Sequence, residues 1–428
     1  MTQRQHTDKV GLWPMVALVT GNLVGSGVYL LPAMLAPFGV ISLWGWGATS
    51  CGAILLALVF AQLSARITKT GGPYLYAREA FGDTVGYYVA WGYWVLSWIS
   101  NPTLAIAAVG YLSLILGGIS PLMTFLLEFA FIAGFTMFNL FGMKATGRFE
   151  LIITILKVIP LLLLPIIGIF FMNPDHFNAP LASDFSFEKA LNSVAFITLW
   201  AFVGLETGTV PAGQVQDPNK TVPRATIIGT IIAAAIYILG TVAIMGVLPP
   251  EQLVNSKAPY ADAASVIFGG NWAIPVAIAA IITCMGTLNG WTLIVGRIPY
   301  GAAQDGLFPA AFTKPTSHGT PYVGVLVSAF CTLPLLLMSL NNTLLEQFQF
   351  IVDVAVTLIL VVYAVSVLAY FKILYMQKDY HVGHILLGVG AFAFAGWALW
   401  AANPKMILMS FILVGLGIPM QLWMKKEK

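Results

Sequence analysis

The sequence predicts an all-α polytopic membrane protein of about twelve spanning helices, and three observations carry that expectation. First, only 9% of the 428 residues are charged and 59% are hydrophobic. Soluble domains carry about 25% charged residues, so lipid must be the solvent for most of this chain. Second, apolar stretches of the length a spanning helix needs, roughly 20 residues, follow one another almost from end to end. Third, Lys and Arg crowd into alternate loops, as they do when one side of a membrane faces the cytoplasm.

The apolar stretches are 11–36, 39–66, 84–115, 121–143, 147–171, 188–213, 221–248, 272–300, 320–340, 346–373, 383–402 and 405–424. Short loops leave no room for a soluble domain, so residues 1–428 read as a single transmembrane domain. A further short helix near 73–82 suits the inner surface. Met1–Lys9 is polar, and the apolar stretch after it is much longer than a signal-peptide core, so no cleaved signal is expected. The net charge of +3 provides no basic face for nucleic acid. Cys51, Cys284 and Cys331 are odd in number and widely spaced, which suggests neither a disulfide framework nor a metal site.

Placing the N-terminus inside puts Arg4, Lys9, Arg66, Lys69, Arg78, Lys144, Arg148, Lys220, Arg224, Arg297, Lys314, Lys372, Lys378, Lys425, Lys426 and Lys428 on the inner side. Only Lys189, Lys257 and Lys405 fall outside. Both termini are therefore expected in the cytoplasm of a cell whose inner membrane holds the chain.

Two spans carry interruptions. The first contains Gly21, Gly25 and Gly27; the sixth contains Phe202-Val203-Gly204-Leu205-Glu206-Thr207-Gly208. They sit five helices apart, an odd offset, so the halves that contain them would have inverted topology. Paired broken helices are the best sequence pointer to a transporter site. Small residues also let membrane helices pack closely, so Gly21 and Gly25 alone leave packing and site both open.

A break inside the membrane leaves N–H and C=O groups that must face protein or a cavity. The N-terminal end of a half-helix is partially positive and the C-terminal end partially negative. Such a break offers donors to a carboxylate and acceptors to an ammonium, which together suit a zwitterionic amino acid. Ser26 adds a hydroxyl there and Asn22 an amide.

Charges deep in lipid are rare and usually functional. Four stand out: Glu128, Lys157, Glu206 and Asp353. Glu206 lies in the second break and is the leading functional acid. Lys157 sits too far from either helix end to snorkel easily, and is read as a proton carrier or a fixed cation near the first break. Asp353 divides between a site role and a helix–helix hydrogen bond. Glu128 lacks comparable context and reads as structural or as a misplaced boundary. Trp200 and Trp291 divide between packing and stacking on a cationic ligand. His6, His176, His318, His381 and His384 all fall in loops or at span ends, and no nucleophile or metal motif is present, so an enzyme is not expected.

At these residues the sequence resembles the amino acid–polyamine–organocation superfamily, and within it the bacterial basic amino acid/polyamine antiporters that exchange arginine for agmatine or putrescine for ornithine. The likeness covers essentially the whole chain. It is carried by Gly21-Asn22 with Gly25-Ser26-Gly27-Val28, Gly71-Gly72, Tyr93-Trp94 with Asn101, Thr198-Leu199-Trp200-Ala201-Phe202-Val203-Gly204-Leu205-Glu206, and Gly290-Trp291-Thr292 with Asp305-Gly306-Leu307-Phe308-Pro309.

The resemblance implies five-plus-five inverted repeats, about 11–171 and 188–373, with two further helices at about 383–424. It implies that backbone at Ser26 and Gly27 takes the substrate carboxylate. Carbonyls of Leu23, Trp200 and Val203 would take the α-amino group, with Trp291 stacked on the distal cation and Asn101 nearby. Tyr93, Glu206 and Tyr363 would gate, and Glu206 would sense pH. Members commonly work as dimers and need no cofactor.

The chain departs from the arginine/agmatine pattern at Leu96, Ser97, Leu104 and Ala355, which occupy pocket positions. Asp353 adds an acid near that pocket. Lys157 matches proton-coupled and neutral amino acid members instead. An exchanger of a basic amino acid for an amine is therefore expected, with a transporter of neutral amino acids as the alternative.

Overall fold

The computed structural model describes residues 9–141, 143–178, 186–269, 272–317 and 320–427. Arg4, His6, His318 and Lys428 lie outside them, and the side chains of Lys144, Arg148, Lys425 and Lys426 are likewise outside the described atoms. The described residues form helices and no strand; Val10–Val215 and Pro315–Pro321 make isolated bridges.

The α-helices are α1 Leu12–Leu23, α2 Ser26–Leu35, α3 Ile41–Arg66, α4 Pro73–Phe81, α5 Asp83–Ile115, α6 Pro121–Leu140, α7 Met143–Gly168, α8 Phe187–Leu199 and α9 Pro218–Val247. They continue with α10 Pro250–Leu253, α11 Pro259–Phe268, α12 Ala273–Gln304, α13 Tyr322–Cys331, α14 Leu333–Leu336, α15 Leu344–Met376, α16 Val382–Ala401, α17 Pro404–Gly415 and α18 Ile418–Glu427. Among the described residues, 11 stretches are long and apolar enough to cross a membrane. The 26-residue α7 occupies the segment read as the fifth crossing. The chain is a multi-pass membrane protein.

The first span is interrupted between α1 and α2, as expected. The sixth behaves differently. Its helix α8 passes through a 3₁₀ turn at Trp200–Phe202 and does not resume as an α-helix; only short 3₁₀ turns at Thr207–Thr209 and Ala212–Gln214 follow. The interruption expected around 202–208 in the span 188–213 is found there, and Phe187–Thr209 is still long and apolar enough to cross. Gly204 takes φ +114°, and the Thr207 and Thr209 hydroxyls bond back to the carbonyls of Gly204 and Glu206 at 2.6 and 2.7 Å. Such local side-chain bonds satisfy the backbone without a helix. The last span is also divided. Its two helices, α17 and α18, meet at Gly417, whose carbonyl accepts from Tyr87 Oη at 2.6 Å.

The breaks sit at the centre of the bundle. Helices α5 and α12 pack along each other most extensively, and α3 with α9 forms the second large contact. Helix α15 lies against α4 and α5, and α16 and α17 cover it from outside. Small residues allow these approaches. A Cβ on Gly45 of α3 would fall 2.1 Å from Val194 Cγ1 of α8. At the α15–α16 turn, Asp379 accepts from Arg66 Nη2 at 2.6 Å and lies 2.9 Å from His384 Nδ1, and Arg66 holds that carboxyl below its ordinary range.

Gly45 and Gly47 offer a matched pair on one helix, because nothing lies within 4 Å of a Cβ on Gly47. Gly45→Val is expected to destabilise the protein by about 1–3 kcal/mol through overpacking, and Gly47→Val by far less. Thermal unfolding of the two variants in detergent checks the difference.

Candidate functional site

The chain leaves the helix at Val24 (φ −88°, ψ 92°) and Gly25 (φ −132°, ψ −134°), and re-enters it at Ser26. Gly25 is squeezed between α12 and α5. A Cβ there would lie 2.9 Å from Thr287 Cγ2 and 3.0 Å from Leu104 Cδ2.

The end of α1 strands carbonyls that no helix turn can satisfy. Each finds a protein donor. Val24 N–H bonds Thr20 O at 2.8 Å. Lys157 Nζ donates to Gly21 O at 2.7 Å and to Val24 O at 3.2 Å. The Thr287 hydroxyl lies 3.2 and 3.0 Å from the same two carbonyls and accepts from Lys157 at 3.0 Å. Trp291 Nε1 donates to Asn22 O at 3.1 Å, and Tyr237 Oη to Leu23 O at 2.9 Å. Lys157 is fully buried, and its ammonium meets the negative end of the α1 dipole. Tyr237 also reaches the other side of the break, where its oxygen lies against the N–H groups of Gly25 and Val28.

The second break is held by a carboxylate. Glu206 is fully buried, with Tyr93 Oη donating to Oε1 at 2.7 Å and Tyr363 Oη to Oε2 at 2.5 Å. Tyr363 Oη also lies 3.3 Å from Phe202 O. These bonds tie the loop after α8 to α5 and α15. No Lys, Arg or His forms an ion pair with Glu206 among the described residues.

Two tryptophans link the breaks. The ring of Trp200 covers Gly27, where a Cβ would fall 2.8 Å from its Cδ1. The ring of Trp291 covers Gly204, with Cζ2 3.1 Å from a Cβ placed there, while its Nε1 holds Asn22 O. Trp291 thus touches both interruptions at once.

The remaining expected residues divide. Leu96, Ser97, Asn101 and Leu104 occupy neighbouring buried positions on α5, and Ala355 is buried on α15. The Ser97 hydroxyl turns back to Tyr93 O at 2.7 Å, and that of Ser26 bonds Thr103 Oγ1 at 3.3 Å. Asn22 is buried with neither amide atom bonded, and Asn101 with its Oδ1 unbonded. Buried polar atoms are normally satisfied, so these mark where a polar ligand would complete the site. Val203 is buried in the loop between α8 and Glu206, and its N–H bonds Trp200 O at 3.2 Å, so the Trp200 carbonyl is already engaged.

Asp353 is partly buried on α15, about 200° around the helix from Ala355. Glu128 is no misplaced boundary: it is fully buried within α6. Sequence reasoning missed Thr287, Tyr237 and Thr103. Thr287 stands one turn from Trp291 on α12 and carried a detectable signal by spacing. Tyr237, in an apolar stretch of α9, carried none. No group of three or more His, Cys, Asp and Glu gathers among the described residues.

Paired interruptions, a buried carboxylate and a buried ammonium inside a multi-pass bundle define a membrane transporter. The chain belongs to the amino acid permease family, which it matches over residues 10–424. It is similar to the cadaverine/lysine antiporter of Escherichia coli K12, 35% identical over 342 residues covering 78% of this chain and 76% of that one. It is also similar to the putrescine transporter PotE of the same bacterium, 32% identical over 422 residues covering 96% and 95%.

Removing the buried cation tests the geometry of the first break. Lys157→Met leaves the carbonyls of Gly21 and Val24 to Thr287 alone. A loss of about 3–6 kcal/mol is expected from the two carbonyl bonds, as hydrogen bonds to charged groups are worth about 1.5–3 each. Thr287→Val, which leaves Lys157 in place, is expected to cost about 1 kcal/mol. Thermal unfolding in detergent ranks the two.

Proposed function

We propose that this permease is a secondary antiporter that exchanges a basic amino acid for an amine or related cation by alternating access. The observation that carries the reading is the set of unfilled polar groups at the first break: both amide atoms of Asn22 and Oδ1 of Asn101, beside the indole of Trp291. N–H groups of Ser26 and Gly27, at the positive end of α2, suit the carboxylate. The second lone pair of Leu23 O, with Val203 O, suits the α-amino group. The Trp291 face suits the distal cation. The similar proteins named above, a cadaverine/lysine antiporter and a putrescine transporter, support this substrate class.

The neutral amino acid reading drew on Lys157 and the altered pocket. Lys157 is engaged on backbone carbonyls, an arrangement that serves any substrate side chain. It therefore gives neutral substrates no advantage.

In this reading the two breaks lie at the interface of inverted repeats at about 11–171 and 188–373, and one bundle rocks against the other around the ligand. Both termini face the cytoplasm in a bacterial inner membrane, an orientation the loop charges support. Protonation of Glu206 removes the carboxylate that Tyr93 and Tyr363 grip, and so biases the rocking equilibrium.

Proteoliposomes loaded with arginine, ornithine, lysine or the corresponding amines are expected to exchange labelled substrate for external label. Uptake of alanine or serine with no response to any basic substrate would overturn the reading. Glu206→Gln is expected to flatten the pH dependence of exchange; a variant retaining the full wild-type profile would remove Glu206 as the sensor.

A further inference from the structure

Glu128 plays no part in the site described above. It is fully buried on α6, about 10 Å along from the helix start at 1.5 Å per residue. Its Oε2 accepts from Gln347 Nε2 at 3.3 Å, and that nitrogen also donates to Leu335 O at 2.9 Å. A carbonyl can only accept, so Leu335 fixes which end of the Gln347 amide is nitrogen. The Ser339 hydroxyl donates to Leu336 O at 2.8 Å. Gln347 is itself fully buried. Two oxygens in this cluster have no partner, Glu128 Oε1 and Gln347 Oε1.

Among the described residues no cation neutralises Glu128: no Lys, Arg or His forms an ion pair with it. The described charged groups on the elements packed against α6 lie elsewhere. Asp83 and Arg297 stand near the opposite ends of α5 and α12, and Lys157 of α7 is on the first break. Lys144, Arg148 and Glu150 of α7 fall in the part whose side chains are not described. On α15, Glu346 is turned outward into the capping box with Thr343, and Asp353 is partly buried six residues on from Gln347. Helices α13 and α14 and the turn at Leu337–Leu340 carry no Asp, Glu, Lys, Arg or His; Cys331 and Tyr322 of α13 are only partly buried.

A buried carboxylate without a counter-charge costs several kcal/mol. Both orphaned oxygens are acceptors, and one proton satisfies the pair. Protonated at Oε1, Glu128 donates to Gln347 Oε1 while its Oε2 keeps accepting from Nε2. The result is a two-bond acid–amide pair.

We propose that Glu128 and Gln347 form a second proton-binding site, separate from the Glu206 gate, in which neutral Glu128 closes a reciprocal pair with the Gln347 amide. Helix α15 is then gripped at two carboxyls, by Gln347 at Glu128 and by Tyr363 at Glu206, about 24 Å apart along its axis. Loss of the Glu128 proton sets carboxylate oxygen against amide oxygen and leaves the Gln347 Nε2 bond to Oε2 as the one bond of the pair between α6 and the start of α15.

Infrared spectroscopy of the full-length protein in liposomes tests the site. The carbonyl stretch of a protonated carboxyl is expected at neutral pH, absent in Glu128→Gln and retained in Glu206→Gln. Gln347→Leu, which keeps the acid, is expected to shift that band to the frequency of an unbonded carboxyl. This second variant decides the matter if the first does not fold. A Glu128→Gln spectrum that superimposes on wild type, or a band unmoved in Gln347→Leu, overturns the proposal. Neither result depends on the transported substrate.

Discussion

The ammonium of Lys157 against the carbonyls of Gly21 and Val24 is the interaction on which the rest of the structure depends. A membrane helix cannot end in hydrocarbon without satisfying its last carbonyls. Here α1 ends near the middle of the bundle, and the donors come from three other helices: Lys157 of α7, Thr287 and Trp291 of α12, and Tyr237 of α9. The break is thus a junction where four elements meet. A fixed cation at a helix C-terminus is favourable by charge as well as by hydrogen bonding. Burying that cation is tolerable only because the carbonyls are there to receive it.

The second break is built on the opposite sign. A carboxylate, Glu206, gathers two phenols instead of a cation gathering carbonyls. Trp291 joins the two, holding Asn22 O with its indole nitrogen and packing its ring on Gly204. Gly25, Gly27 and Gly204 are required because side chains from neighbouring helices already fill the space of a Cβ. The two breaks are therefore joined by packed rings and short polar bonds. That is the kind of contact which has discrete alternatives and little intermediate freedom.

Much of this was legible in the residues alone. Length, hydropathy and loop charge gave the helical class and nearly every crossing. The glycines of the first span announced its break, and Glu206 within apolar surroundings announced the second. What the residues did not mark is that the chain past this second break does not resume as an α-helix. In the fold, the Thr207 and Thr209 hydroxyls supply local bonds that let the chain turn without one. Asp353 shows that spacing in sequence is not proximity: two residues along a helix turn its side chain about 200° from that of Ala355. Tyr237 was invisible because nothing in an apolar helix marks which tyrosine will meet a carbonyl on a distant segment. Lys157 was visible as an anomaly, but its partners are backbone atoms, which have no sequence signature.

The first break as the ligand site is the central claim, and a structure solved with bound ornithine tests it most directly. The account predicts ligand density between α1 and α2, with the carboxylate on the N–H groups of Ser26 and Gly27 and the distal ammonium over the Trp291 ring. Density confined to any other cavity, with Asn22 and Asn101 still unbonded, would contradict it.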